Sequence, residues 1–387
     1  MVRHELDEYP VVKKDQGSVG IVETRYMKFF EQPNPLVLTN GSELSPVQVA
    51  YETYGELDEN KENAILILHA LTGSAHAAGY HSASDEKPGW WDSMIGPGKA
   101  FDTDRYFIIS PNILGSCYGT TGPCSINPET GKPYGSAFPL ISIRDMVRVQ
   151  KALVDSLGIR KLYSVVGGSM GGMQAIEWAL FYPELVYTLV LLASSPWTTP
   201  MSIAVHKVGI DAIMNDPNWN KGDYYDSTPP LAGLRLARMI GHITYLSDSI
   251  MWKKFGREST DQEKLTKELT GKFEVEEYLE YQANKFVKRF DANSYLHIMR
   301  AMDTYDASLG YSDLESSFSR LNCSKVFIAS FSHDWLFPAY QSKEMSDAFE
   351  ANGIDVTYKH IHSPYGHDSF LLEYKKLEAL LNKFLTK

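Results

Sequence analysis

The chain has 387 residues, too many for one small domain and too few for three, so one large domain or two unequal ones is expected. Apolar residues make up 43% and charged residues 22%, which excludes a mostly disordered chain. A net charge of −11 argues against nucleic acid or an anionic membrane as the main partner, while leaving room for a local basic pocket that takes a small anion.

The first residues, MVRHELDEYPVVKKDQGSVG, hold no apolar segment, so no secretory signal is expected there. The longest apolar runs, such as Ala64–Leu68 and Leu189–Ala193, fall far short of the ~20 residues that span a bilayer and suit buried strands instead. The three cysteines, Cys117, Cys124 and Cys323, make neither a disulfide framework nor a metal-ligand pattern, since Cys117 and Cys124 lie seven apart. Reduced thiols, no metal and a cytoplasmic location are the expectation.

Strand-like alternation opens the chain, with Val22, Thr24 and Tyr26 on one face. Leu36–Thr39 and Val47–Thr53 flank the turn signal Asn40-Gly41. This predicts an antiparallel start to a sheet. Short apolar runs then alternate with helical patterns, the signature of βαβ units and a parallel sheet. Ala64–Leu68 and Tyr106–Ser110 are two such runs. Ser142 to Asp145 resembles a capping box. Met146, Val149, Leu153 and Leu157 continue the helix at helical spacing, and Gly158 stops it. Leu162–Val166 is the next strand, and a helix bearing Met173, Ile176 and Leu180 follows it, with Pro183 past its end. Val186–Ala193 is a further strand.

Near Ser194 the alternation stops. From about Trp197 to about Asn293 the patterns are helical, without a buried strand. The βα rhythm resumes with Val326–Ser330, a helix around Lys343–Ala351, the strand Val356–Ile361 and a last helix Ser369–Leu385. The expectation is an α/β core of residues 1–196 and 294–387 interrupted by a helical lid of residues 197–293.

Gly167-Gly168-Ser169-Met170-Gly171 fits G-x-S-x-G, and the strand before it and helix after it supply the context that motif needs. Glycines two before and two after the serine permit a sharp turn that holds Ser169 out at the C-terminal edge of the sheet. A serine hydroxyl needs a base to become a nucleophile. With such an elbow the acid and the histidine follow in the order Ser, acid, His, each beyond a late strand. Asp334 and His367 meet that requirement. His333 precedes the acid, and His360 and His362 fall within or at the end of the strand, so His367 is the preferred base. Backbone N–H groups of Met170 and of Leu71, in the loop after the first parallel strand, are the expected oxyanion donors, each typically worth ~3–4 kcal/mol of transition-state stabilisation. His69, in the same loop, reads as a core histidine satisfied by backbone groups.

At this point the sequence resembles the homoserine O-acetyltransferase family of α/β-hydrolase-fold enzymes. The resemblance rests on HALTGSAHAAG from His69, GWWDSMIGPGKAFDTDRYF from Gly89, NILGSCYGTTGPCSINPETGKPYG from Asn112 and IRDMVRVQKALVDSLGI from Ile143. VVGGSMGGMQAIEWAL from Val165, RLARMIGHITYLSD from Arg235, FDANSYL from Phe290, SHDWLFP from Ser332 and YGHDSFL from Tyr365 complete it. These segments cover most of the chain.

The resemblance implies a mostly parallel central sheet with an inserted helical lid, and a two-step acyl transfer in methionine biosynthesis. Ser169 would take the acetyl group from acetyl-CoA, with His367 as base and Asp334 orienting it. The homoserine hydroxyl would then remove it. The family's substrate residues carry over to Arg238 and Asp368. A guanidinium can hold the substrate carboxylate through two parallel bonds, and Asp368 can pair with its ammonium. Tyr245, seven residues after Arg238, shares its helix face, while Leu236, Ile240 and Ile243 mark the opposite, apolar one. Leu336 stands where relatives that use succinyl-CoA carry arginine, which favours acetyl. No bound cofactor is implied, acetyl-CoA being a co-substrate, and a homodimer joined through lid helices is. Serine O-acetylation, homoserine O-succinylation, and an esterase or thioesterase with the same triad are the alternatives.

Overall fold

The computed structural model describes residues 17–386. The segment read as lacking a secretory signal lies, up to residue 16, outside the described residues.

The sheet begins with β1 (Arg25–Phe29). The Asn40-Gly41 turn closes a small separate hairpin of β2 (Leu36–Val37) and β3 (Glu43–Leu44). The longer run after it, β4 (Val47–Tyr54), pairs antiparallel with β1, from Arg25 opposite Tyr51 to Phe29 opposite Val47. Thus the turn does not join the two main strands. Val22 and Thr24 precede β1, and Val22 instead donates its N–H to Tyr80 O at 2.8 Å.

Next come β5 (Ala64–Leu68) and β6 (Phe107–Pro111). Helix α1 (Ile143–Ser156) follows, with Ser142 and Asp145 forming the capping box read from the sequence. Strand β7 (Leu162–Gly168), helix α2 (Met170–Phe181) and strand β8 (Thr188–Leu192) make the central unit. The eight strands of the main sheet run β1-β4-β6-β5-β7-β8, then β9 (Lys325–Phe331) and β10 (Asp355–Ile361). Pairing is parallel from β6 to β10 and antiparallel at the β1 and β4 edge.

Strand alternation divides the core into two layers. Leu66, Leu68, Leu189, Leu191, Val326 and Ile328 face one way and pack with Met146 and Val149 of α1 and Met173 and Ile176 of α2. Ile65, Ile67, Val190, Leu192, Phe327 and Phe331 face the other way, against Leu377, Leu381 and Phe384. Those last three belong to the terminal helix. Both faces of the parallel strands are covered, which is why these strands read as continuous apolar runs.

Between β8 and β9 lie α3 (Pro200–Met214), α4 (Leu231–Tyr245), α5 (Asp248–Phe255), α6 (Gln262–Lys267), α7 (Glu274–Phe286), α8 (Ala292–Asp303) and α9 (Leu314–Phe318). Thr199 caps α3 by accepting the Ser202 N–H, and Pro200 occupies the first helical position, where its missing N–H costs nothing. Helix α3 packs along α4, and α4 along α7. Helical structure continues beyond Asn293 through α8 and α9, elements the sequence pattern did not resolve. After β9 come α10 (Ala339–Ala351), β10, the short α11 (Ser369–Leu372) and α12 (Tyr374–Leu385). The expected single last helix is broken at Glu373.

Close approach of α2 to the sheet sets a requirement for glycine. A Cβ on Gly171 would lie 2.1 Å from Leu68 O, a backbone atom that cannot move aside. Gly353, by contrast, has a positive φ of 75° and nothing within 4 Å of where a Cβ would lie. Gly171→Ala should therefore cost about 3 kcal/mol or more, through overpacking against backbone. Gly353→Ala should cost only about 1–2 kcal/mol, through its left-handed backbone. Urea denaturation midpoints of the two variants test this contrast.

Candidate active site

Three loops at the C-terminal edge of the parallel strands bring the site together. The first follows β7. Ser169 sits there with φ 56° and ψ −127°, a conformation rare for any residue with a Cβ. Its neighbours hold it. The Ser169 N–H donates to Leu192 O at 2.9 Å, and its carbonyl accepts from Ser194 Oγ at 2.8 Å. Each elbow glycine is needed for space. A Cβ on Gly167 would lie 2.0 Å from Gly171 O, one on Gly168 would strike the Phe370 ring at 2.4 Å, and one on Gly172 would strike Ser194 Cβ at 2.4 Å.

The second loop follows β9 and carries Asp334; the third follows β10 and carries His367. Asp334 Oδ1 accepts the N–H groups of Leu336 at 3.1 Å and Phe337 at 3.0 Å, which fixes the carboxylate plane. Its Oδ2 lies 2.9 Å from His367 Nδ1, and His367 Nε2 lies 2.9 Å from Ser169 Oγ. A carboxylate can only accept, so Nδ1 carries the hydrogen and Nε2 offers its lone pair to the serine O–H. All three residues are buried. Phe337 stacks on the imidazole at 5.0 Å between centroids, and Phe370 meets it edge-on at 5.7 Å. Burial alone would pull the His367 pKa down. The charge of Asp334, its hydrogen bond and the charge of Asp368 outweigh this and raise it above the ordinary histidine value.

The other histidines lie apart from this chain of hydrogen bonds. His360 sits on β10 and its Nδ1 lies 2.8 Å from Ser330 Oγ. His333 and His362 face each other across 6.3 Å, and neither ring is in the pocket lining. His69 is fully buried, with Nδ1 2.8 Å from Ala70 O. Its Nε2 accepts the Ile113 N–H at 3.2 Å, and burial holds its pKa down to about 4. It is a neutral brace for the loop Ala70–Gly73. Leu71, from that loop, lines the pocket beside Ser169. Met170 begins α2, where N–H groups have no intrahelical acceptor.

The pocket over Ser169 has a volume of about 200 Å³. Arg238, Tyr245 and Asp368 line it, together with Ser169, His367 and Leu71. Arg238 reaches in from α4, its guanidinium carbon 4.7 Å from the Phe286 ring centroid and 5.6 Å from that of Tyr245. Its Nε is buried without a hydrogen-bond partner in the protein. The reverse face of α4 differs from the sequence reading. Ile240 turns inward to a second cavity, while Leu236 and Ile243 are exposed.

That second cavity, about 50 Å³, lies beside Ser169 and His367 and is walled by Leu336, Phe337, Val205, Met299 and Met302. His206 also borders it, with Nδ1 2.6 Å from Asp303 Oδ1.

Sequence reasoning missed part of the main pocket. His242 lies one turn beyond Arg238, with its Nε2 buried and unpartnered. Burial, then Arg238, Lys254, Arg289 and Lys285, push its pKa well below the ordinary value. Tyr278, Gln282, Lys285 and Phe286 of α7, with Arg289 beyond it, form the opposite wall. Their spacing of three and four residues was the available signal. The rise of charge across this stretch hid it, because a charged helix reads first as a solvated one.

A family profile described as alpha/beta hydrolase fold matches residues 63–374. A homoserine O-acetyltransferase of Deferribacter desulfuricans is 54% identical over 96% of this chain and 97% of its own. Among solved structures, homoserine O-acetyltransferase from Bacillus anthracis superposes with a TM-score of 0.88 at 32% identity, covering 95% of this chain and 98% of that one. Esterase E22 superposes with a TM-score of 0.86 at 34% identity, covering 94% and 100%. A strained serine on a strand-to-helix turn, its hydrogen-bonded partners and these likenesses over the full length agree, and the chain belongs to the homoserine O-acetyltransferase family of the α/β-hydrolase fold.

Proposed function

We propose that this chain transfers an acetyl group from acetyl-CoA to the hydroxyl of L-homoserine, giving O-acetyl-L-homoserine and CoA for methionine synthesis. The observation that carries the reading is the unbroken hydrogen-bonded series Ser169–His367–Asp334 beneath a pocket that also holds a guanidinium and a carboxylate.

In the first step Ser169 Oγ attacks the thioester carbonyl and its proton passes to His367 Nε2. The N–H groups of Leu71 and Met170 receive the developing oxyanion. Collapse expels the CoA thiolate, which takes the proton back, and leaves acetyl-Ser169. In the second step the homoserine hydroxyl gives its proton to His367 and attacks the ester, and Ser169 departs as the free hydroxyl. Arg238 holds the homoserine carboxylate beside Tyr245, and Asp368 takes the ammonium. The acetyl group fits the small cavity lined by Leu336, whose side chain offers no charge to the second carboxylate of a succinyl group. Chemistry rests on these side chains, with acetyl-CoA as co-substrate and no bound cofactor.

Helices α3 and α4 suggest the subunit contact. Met201 and Val208 on α3, and Leu236 and Ile243 on α4, are apolar, exposed and seven residues apart on each helix. Such a stripe on adjacent helices fits a homodimer. No helix among the described residues is long and apolar enough to cross a membrane, and the reading places the enzyme in the cytoplasm.

A hydrolase is the second reading, favoured by the likeness to esterase E22. The triad would serve water equally well. Mass spectrometry after brief exposure to acetyl-CoA should detect an acetyl adduct on the wild type and none on Ser169→Ala. L-homoserine should discharge the adduct far faster than water does. Equal rates would make the protein a thioesterase.

Arg238→Ala should raise the KM for homoserine about 10–100-fold, the loss of one charged hydrogen-bonded contact, while acyl-enzyme still forms. Acylation lost with no change in homoserine dependence would refute the role. The base must be neutral to accept a proton, and His367 is held above its ordinary value. Activity should therefore fall as pH drops through an apparent pKa above the ordinary ~6.5. Asp368 contributes to that elevation, so Asp368→Asn should move the acid limb of kcat/KM to lower pH.

A further inference from the structure

A second cluster of ionisable groups lies outside the pocket, at the end of β4. Glu52 there has no exposed surface. Its Oε1 accepts from Thr24 Oγ1 at 2.8 Å and faces His81 Nε2 at 2.8 Å. Its Oε2 accepts from the Tyr54 hydroxyl at 2.8 Å and faces His76 Nδ1 at 3.1 Å. The Tyr54 oxygen in turn accepts the N–H groups of Ala77 and Ala78 at 2.9 and 3.1 Å. The two imidazoles lie 3.8 Å apart between centroids, tilted by 35°. One ligand atom from each of Glu52, His76 and His81 lies within 4.8 Å of the other two.

We propose that Glu52, His76 and His81 form a binding site for a divalent transition cation such as zinc. Two imidazoles and one carboxylate are borderline donors, suited to zinc, cobalt or nickel rather than to calcium or magnesium. Around an ion with bonds of about 2.0–2.2 Å, tetrahedral ligand atoms stand about 3.3–3.6 Å apart. The 3.1 and 2.8 Å contacts reach the two different oxygens of Glu52, and the ligand atoms lie within 4.8 Å of one another, so side-chain shifts of about an ångström, or a carboxylate that binds through both oxygens, bring them onto one ion. The ion would take the place of the hydrogens now directed at the carboxylate; each ligating imidazole keeps one hydrogen, on the nitrogen turned away from the ion, and any second proton leaves to solvent. The outer contacts of such a site are in place. Thr24 and Tyr54 orient the carboxylate, and the backbone N–H of His81 is fixed to Asp85 Oδ2 at 2.9 Å. Side-chain exposure of 47% at His81 gives an access route and a face for a fourth, water ligand.

This departs from the sequence expectation of no metal. Glu52 lies 24 residues from His76 and 29 from His81, a separation no ligand motif covers. A bound ion would tie the loop that begins at Ala70, Leu71 and Thr72, three residues of the pocket lining, to the edge of the sheet.

The full chain, stripped with a chelator and then given zinc or cobalt(II), should retain one ion per chain through gel filtration. Cobalt should give visible d–d absorption typical of a low-coordinate nitrogen–oxygen site. The melting midpoint should rise by about 3–5 °C at saturating ion. His81→Ala and His76→Ala should each retain less than a tenth as much and lose the shift. His81 is half exposed and carries the test if the His76 variant does not fold. Failure of the wild-type chain to retain the ion, or equal retention by His81→Ala, overturns the assignment.

Discussion

One bend in the backbone governs this molecule. Ser169 occupies φ 56° and ψ −127°, where a residue with a side chain typically costs about 1–3 kcal/mol. Within the turn one local bond, the Gly172 N–H donating to Ser169 O at 2.9 Å, is not the whole support of this conformation. It persists because the middle of the sheet over-determines it: β8 takes its N–H, Ser194 takes its carbonyl, and the two flanking glycines let strand and helix approach to a distance no other side chain permits. The requirement propagates outward. Small residues must line the junction of β5, β7 and α2, and the large apolar residues are displaced to the two outer layers of the sheet.

The pocket above the bend holds two buried histidines whose surroundings drive them in opposite directions. His367 is flanked by Asp334 and Asp368, and its proton affinity rises despite burial. His242 is buried among Arg238, Lys254, Arg289 and Lys285, and its proton affinity falls. An acidic protein thus turns positive charge toward this pocket, through Arg238 of α4, Lys285 of α7 and Arg289 just beyond it, with the Asp368 carboxylate among the same lining residues. Opposite charges on facing walls suit a zwitterion, and a cationic outer wall suits an acyl donor rich in phosphate.

Much of this was legible in the sequence, and unevenly so. The elbow string, the capping box at Ser142 and the apolar runs of the parallel strands are local signals, carried by neighbouring residues. The chain order of serine, acid and histidine follows from sheet topology, so Asp334 and His367 could be named before their 2.9 Å contacts were seen. What depended on tertiary placement was obscured. Nothing in the sequence separated Leu236 and Ile243, which are exposed, from Ile240, which faces a cavity. The α7 wall hid among charges. Glu52 was invisible because its partners arrive from a distant loop.

The lid and the loop bearing His367 are fastened to each other. Ser247 hydrogen-bonds to Pro364 O, and Gly366 packs so close to Tyr245 O and Ser247 N that a Cβ there would lie 3.0–3.1 Å from both. Swinging α4 aside to admit solvent would pull on the segment that aims the imidazole. The arrangement works as an interlock: on the proposed reading, a chamber opened to solvent is also one whose base has been drawn away from Ser169.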